Sequence, residues 1–164
     1  MRSRAAILLW TAVVVIALDR LSKWAVVEWA DLKTLGRIDV LPPFLNFRMA
    51  WNTGINFGLF GSDADSARWI LIALACAISL GLSLWVLRAG AGRWALIATG
   101  AVVGGALGNV WDRLVYGAVA DFLNMSCCGI DNPFAFNVAD AAIFIGIFGL
   151  ILLPDPKRRE GGGT

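Results

Sequence analysis

The stretch WILIALACAISLGLSLWVL, residues 69–87, runs for 19 residues without a charged side chain. As a helix it reaches roughly 28 Å, close to the ~30 Å hydrocarbon core of a bilayer. Working outward, WALIATGAVVGGALGNVW at residues 94–111 adds 18 uncharged residues, and residues 134–153 form a run whose one charge is Asp140. Upstream, AAILLWTAVVVIAL at residues 5–18 follows Arg2 and Arg4. A basic flank and an apolar run also fit a secretory signal peptide, but no small-x-small cleavage site follows. The apolar pattern resumes past Asp19, Arg20 and Lys23, so a retained helix reaching Trp29 is expected. Trp24, Trp29, Trp69, Trp85, Trp94 and Trp111 sit near the ends of these runs, where an interfacial belt belongs.

Composition agrees. Of 164 residues, 59% are hydrophobic before the 18 glycines are counted, and 16% are charged, against about 25% charged in a soluble domain. A soluble fold of this size still exposes roughly 30% of its unfolded surface, too much for so apolar a chain. The expected fold is an all-α integral membrane protein with four transmembrane helices, at about 5–29, 69–87, 94–111 and 134–153. Arg2, Arg4, Arg88, Arg93, Lys157, Arg158 and Arg159 then fall on one side, and the positive-inside rule puts both termini in the cytoplasm. The opposite side carries residues 31–65, where Pro42-Pro43 blocks a helix. There Ile38-Asp39-Val40 and Phe44 to Met49 partly alternate apolar and polar, so a small extracytoplasmic sheet between helices one and two is expected, with Gly54, Gly58 and Gly61 marking turns.

Several function classes drop out. A net charge of +2 with scattered basic residues does not fit a nucleic-acid partner. The chain has no histidine, which removes the usual metal ligand and general base together. Its cysteines, Cys76, Cys127 and Cys128, make neither a CxxC spacing nor an even disulfide set. No metal or cofactor is implied.

The informative residues are the polar ones in or beside the spans, because ionisable groups there are costly. Asp19 and Lys23 lie four apart on one helix face and read as a structural ion pair. Ser22 adjoins Lys23, but neighbours on a helix diverge by about 100°, which argues against a Ser-Lys hydrolase. Gly100, Gly104 and Gly108 at four-residue spacing suit close helix packing. Asn109, Asp112 and Arg113 form one polar face, with Asp112 read as solvated at a helix end and Arg113 as the fork that braces a buried carboxylate. Asp121 lies in the apolar GAVADFLNM, and Asn137 and Asp140 share a face three residues apart. Two such acids, without histidine or metal ligands, suggest an aspartic dyad. A proton relay in a small transporter fits these residues about as well, and a non-enzymatic membrane assembly factor is a third reading that leaves the acids unexplained.

Taken in order, Asp19-Arg20-Leu21-Ser22-Lys23, Asn52-Thr53-Gly54-Ile55-Asn56-Phe57-Gly58, Gly104 through Arg113, Val119-Ala120-Asp121-Phe122 and Phe136-Asn137-Val138-Ala139-Asp140 resemble the successive motifs of the lipoprotein signal peptidases. The resemblance runs from Arg4 to Leu153. It implies one membrane-embedded peptidase domain over residues 1–153, with residues 154–164 as a cytoplasmic tail. It further implies an aspartic endopeptidase of the bacterial inner membrane, cutting a prolipoprotein just before its diacylglyceryl-modified cysteine. On this reading Asp121 and Asp140 are the catalytic pair, near the periplasmic face. Asn52, Gly54, Asn109, Arg113 and Asn137 match positions that line or brace the site. The implied partners are the lipid-modified substrate and membrane lipid, with the enzyme a monomer. Two positions depart from the family pattern: Asn56 replaces a small residue and Ala120 a valine, while Cys127 and Cys128 read as loop fillers.

Overall fold

The computed structural model describes residues 2–54, 64–129 and 132–153. Helix α1, Arg2–Lys23, continues without a break into a π-helical stretch at Trp24–Trp29. The first apolar run therefore does resume beyond its charges. One helical turn, α2 at Leu32–Leu35, leads into strands β1, Arg37–Leu41, and β2, Leu45–Asn52. Helices α3, Ala64–Arg88, and α4, Arg93–Tyr116, follow, then strand β3, Val119–Asn124, and helix α5, Val138–Leu152. Among the described residues, three helical stretches, Ser3–Trp29, Asp65–Arg88 and Arg93–Tyr116, are long and apolar enough to cross a membrane.

Helix α5 differs from expectation. It has 15 residues and starts at Val138, not near Phe134, so it reaches only about 22 Å. The reason is local: the backbone of Phe136 is drawn into the sheet, donating to Leu123 O at 2.9 Å and accepting from Leu123 N at 2.8 Å. The sheet also differs. Its order is β1-β2-β3, antiparallel throughout, and the third strand comes from between α4 and α5. The VADFLN segment is buried at nearly every position instead of alternating, which hides a strand from any reading based on a period of two. Asn56, Gly58, Gly61 and the tail at 154–164 lie outside the described residues.

Helix α4 is the packing hub. Its most apolar window is 56% buried, whereas that of α3 is 11% buried. Glycines make the close approaches possible. A Cβ at Gly104 would sit 2.7 Å from the Ala12 carbonyl oxygen on α1, and one at Gly105 would collide with the Ala139 carbonyl on α5. From the other side, Gly146 on α5 faces the Ala98 carbonyl of α4. Small residues thus let backbones touch where burying side chains among lipid tails would gain little. The outer surface is inverted relative to a soluble protein, with Trp10, Trp24, Trp85, Trp94, Phe144 and Ile151 all exposed, as a lipid-facing shell requires.

At one end, Arg4 donates to the Ala91 carbonyl at 2.6 Å, tying the start of α1 to the α3–α4 turn. At the other, Val27, Leu32 and Phe122 form a small core that seats the sheet on the end of α1, with Phe47 edge-on to Phe122 at 5.9 Å. Gly105→Ala should lower the thermal unfolding midpoint of the detergent-solubilised protein, since overpacking costs about 1–3 kcal/mol. Gly81→Ala, where a Cβ meets nothing within 4 Å, serves as the control and should not lower it.

Candidate active site

A helix begins with backbone N–H groups that lack partners, and short polar side chains satisfy them. Asn137 does so for α5: its Oδ1 accepts from Asp140 N at 2.9 Å, while Asp140 Oδ2 accepts from Asn137 N at 3.1 Å. This reciprocal capping box fixes the Asp140 carboxyl at the mouth of the helix. Its other oxygen accepts from Asn109 Nδ2 at 2.8 Å. Asn137, itself fully buried, then turns its side-chain N–H groups outward from the cap. Nδ2 donates to Asp121 Oδ1 at 2.7 Å and to Asn109 Oδ1 at 3.2 Å.

Asp121 comes from β3, which pairs it with Ala50 of β2. Its second oxygen accepts from Asn52 Nδ2 at 3.1 Å, and Asn52 Oδ1 in turn accepts from the backbone N–H of Gly54 at 3.0 Å. Gly54 has φ +99°, a backbone conformation that favours glycine, and a Cβ there would have to displace the tip of the Leu71 side chain. The carboxyl of Asp121 is pushed up from 3.8 to about 6, first by burial and then by the nearby charge of Asp140. Hydrogen bonds from Asn52 and Asn137, and the charge of Lys23, act in the opposite direction. Among the described residues, neither Asp121 nor Asp140 forms an ion pair. Arg113 acts on both acids through its charge without bonding either, and two acids held close by neutral amides favour holding one proton in common.

The structure therefore brings Asp121, Asp140, Asn52, Gly54, Asn109 and Asn137 into one network. Arg113 stands differently from its sequence reading. Its Nη1 donates to the backbone carbonyl of Asn109 at 3.3 Å, so it supports the asparagine and does not pair with a carboxylate directly. Asp112 is corrected outright. Helix α4 continues more than a turn past Trp111 to Tyr116, so Asp112 is fully buried and not a solvated helix end. It joins the expected Asp19–Lys23 pair, 2.9 Å apart, through Lys23 Nζ at 2.6 Å. Arg20 completes the group, bonding Asp19 at 2.6 Å and Asp112 at 2.5 Å. Sequence reasoning missed the parts played by Arg20 and Asp112; the available signal was the shared polar face of Asn109 and Asp112. Cys127 and Cys128 are exposed on the loop after β3, with their sulfurs 2.7 Å apart.

Membrane-long apolar helices carrying a small sheet, with buried acids where the two meet, define an integral membrane protein. Comparison with known proteins makes this specific. Residues 11–154 match the family described as signal peptidase (SPase) II. A lipoprotein signal peptidase of Methylorubrum extorquens (strain PA1) is 44% identical over 137 residues, covering 84% of this chain and 78% of the relative. The lipoprotein signal peptidase of Pseudomonas syringae pv. tomato is 37% identical over 93% of this chain and 88% of its own. A solved structure titled "Bacterial membrane enzyme structure by the in meso method at 1.9 A resolution" superposes with a TM-score of 0.73 at 25% identity, covering 93% of this chain and 92% of that one. The chain belongs to the lipoprotein signal peptidase family, proteases that remove the signal peptide from prolipoproteins.

The raised Asp121 carboxyl has a consequence for stability. A carboxyl with a higher pKa folded than unfolded is no burden while protonated in both states; it opposes folding increasingly as pH rises from the unfolded value to the folded one, and by a constant amount above that. Asp121→Asn should therefore gain thermal stability over the parent as pH climbs from about 4 through about 6, with the gain level above that. Paired melting curves at pH 4 and pH 8 check it.

Proposed function

We infer that Asp121 and Asp140 are the catalytic pair of an aspartic endopeptidase acting on diacylglyceryl-modified prolipoproteins, with the cut falling just before the lipidated cysteine. The observation that carries this reading is the double role of Asn137, which donates its side-chain amide to Asp121 and its backbone N–H to Asp140. One asparagine thus sets the spacing and orientation of both acids.

One carboxylate takes a proton from water as its oxygen attacks the scissile carbonyl, while the partner acid protonates the carbonyl oxygen. The resulting diol collapses, the C–N bond breaks, and a proton passes to the leaving amine. The Asp121 carboxyl, raised to about 6, lies closer to neutrality than an ordinary aspartate, as suits a group that takes and gives protons. The substrate enters sideways from the bilayer, its apolar signal segment among the helices and its acyl chains in lipid. Exposed Trp51, Trp111 and Tyr116 near the sheet are suited to that boundary. The enzyme acts as a monomer.

The topology that goes with this chemistry has four spans, α5 being the short one, in the bacterial inner membrane. Both termini are cytoplasmic and the acid pair is near the periplasmic face. Arg4, Arg88 and Arg93 cluster at the end of the bundle away from the sheet, which supports this orientation. A reporter that works only in the cytoplasm, fused after Thr164, should be active; an active periplasm-dependent reporter there would break the four-span reading.

Asparagine is nearly isosteric with aspartate but cannot take or give the proton. Asp121→Asn and Asp140→Asn should each reduce cleavage of a lipidated preprotein by at least about 10²-fold. The double change should add little, as for groups acting as a unit. Near-parental cleavage by either well-inserted single variant would overturn the assignment.

A further inference from the structure

Beneath the acid pair lies a second charged cluster that the proposed chemistry does not use. Asp19, Arg20 and Lys23 of α1 and Asp112 of α4 form a ring of four ion pairs between 2.5 and 2.9 Å. Both carboxylates in it are fully buried. Gly108 leaves the space for it, since a Cβ there would lie 3.2 Å from Asp19 Oδ2.

A structural ion cluster needs only its own partners, yet each carboxylate here accepts one further hydrogen bond. Asp112 Oδ2 accepts from the backbone N–H of Ala120 at 3.2 Å. Asp19 Oδ1 accepts from the backbone N–H of Ala139 at 3.2 Å. Ala120 immediately precedes Asp121, and Ala139 immediately precedes Asp140. The two bonds reach two successive elements, β3 and the start of α5, and meet each at the same offset from its acid.

We propose that Asp112 and Asp19 are positioning residues for the peptidase reaction, gripping the backbone one residue before each acid so that β3 and α5 present Asp121 and Asp140 at a fixed separation. This rests on the reading of those acids as the catalytic pair. From above, Asn137 ties the carboxyl groups; from below, the charged ring ties the main chains that carry them. Lys23 bonds both gripping carboxylates and so joins the two grips. The arrangement calls for carboxylates because each must satisfy a cation and a backbone amide at once, and because a displacement near 1 Å can cost about 10²-fold in rate.

Removing one charge alone would leave its partner buried and unpaired, so the test keeps the ring balanced. Arg20→Leu with Asp112→Asn removes one charge of each sign but leaves an oxygen to accept from Ala120. Arg20→Leu with Asp112→Leu is equally balanced and has no acceptor. Cleavage of a lipidated preprotein is measured for both, with Asp121→Asn in the same assay and melting midpoints alongside. The expected result is a kcat for the acceptor-free variant at least about 30-fold below that of the acceptor-keeping one, at similar KM and midpoint. Equal kcat values, a difference confined to KM or the midpoint, or failure of both variants to accumulate folded would overturn the proposal. Cleavage by Asp121→Asn at the parental rate would instead overturn the catalytic reading beneath it.

Discussion

Asn137 closes the N-terminus of α5 with its carbonyl oxygen and binds Asp121 with its amide, while its backbone N–H binds Asp140. The rest of the site depends on that single side chain being buried and fully engaged. A helix start must find partners for its free N–H groups in any case; here the partners are chosen so that the solution also joins two carboxyl groups. In a membrane protein an uncharged amide is well suited to that task, because it brings the acids together without neutralising either one. A cation in its place would favour ionisation of both, which would suit an ion pair but not acid–base chemistry.

The bundle serves this junction. Glycines at 104, 105 and 146 bring α1, α4 and α5 into backbone contact, so Asn109 of α4 reaches both Asp140 and Asn137. Helix α3 packs more loosely and presents its apolar length to lipid. The sheet, seated on Val27 and Leu32 through Phe122, carries Asp121 to the mouth of α5. Residues from α1, α4, α5 and two strands thus converge at one end of the bundle, where the sheet meets the helices.

Much of this was legible in the sequence, and the parts that were not share a cause. Long uncharged runs announce membrane helices because nothing else tolerates them, and Gly100, Gly104 and Gly108 declare close packing by their spacing. The polar residues within apolar surroundings, Asp121, Asn137 and Asp140, stood out for the same reason, and the ordered motifs pointed to the family. Strand β3 was hidden because it is buried on both faces and so lacks alternation. The start of α5 was misplaced because its apolar run begins before the cap, at residues drawn into the sheet. Asp112 was misread as solvated because an uncharged run marks where charges begin, not where a helix ends. Each error came from tertiary contacts overriding a local pattern.

Through Asn137 and through their charges, Asp121 and Asp140 are held as one coupled unit. The most direct test is a carboxyl 13C NMR titration of the bilayer-embedded protein, with and without Asp140→Asn. The Asp121 carboxyl should titrate near 6 and fall toward the ordinary range, without reaching it, when the Asp140 charge is removed. An Asp121 carboxyl that titrates near 3.8, or one that is indifferent to Asp140, would contradict that coupling.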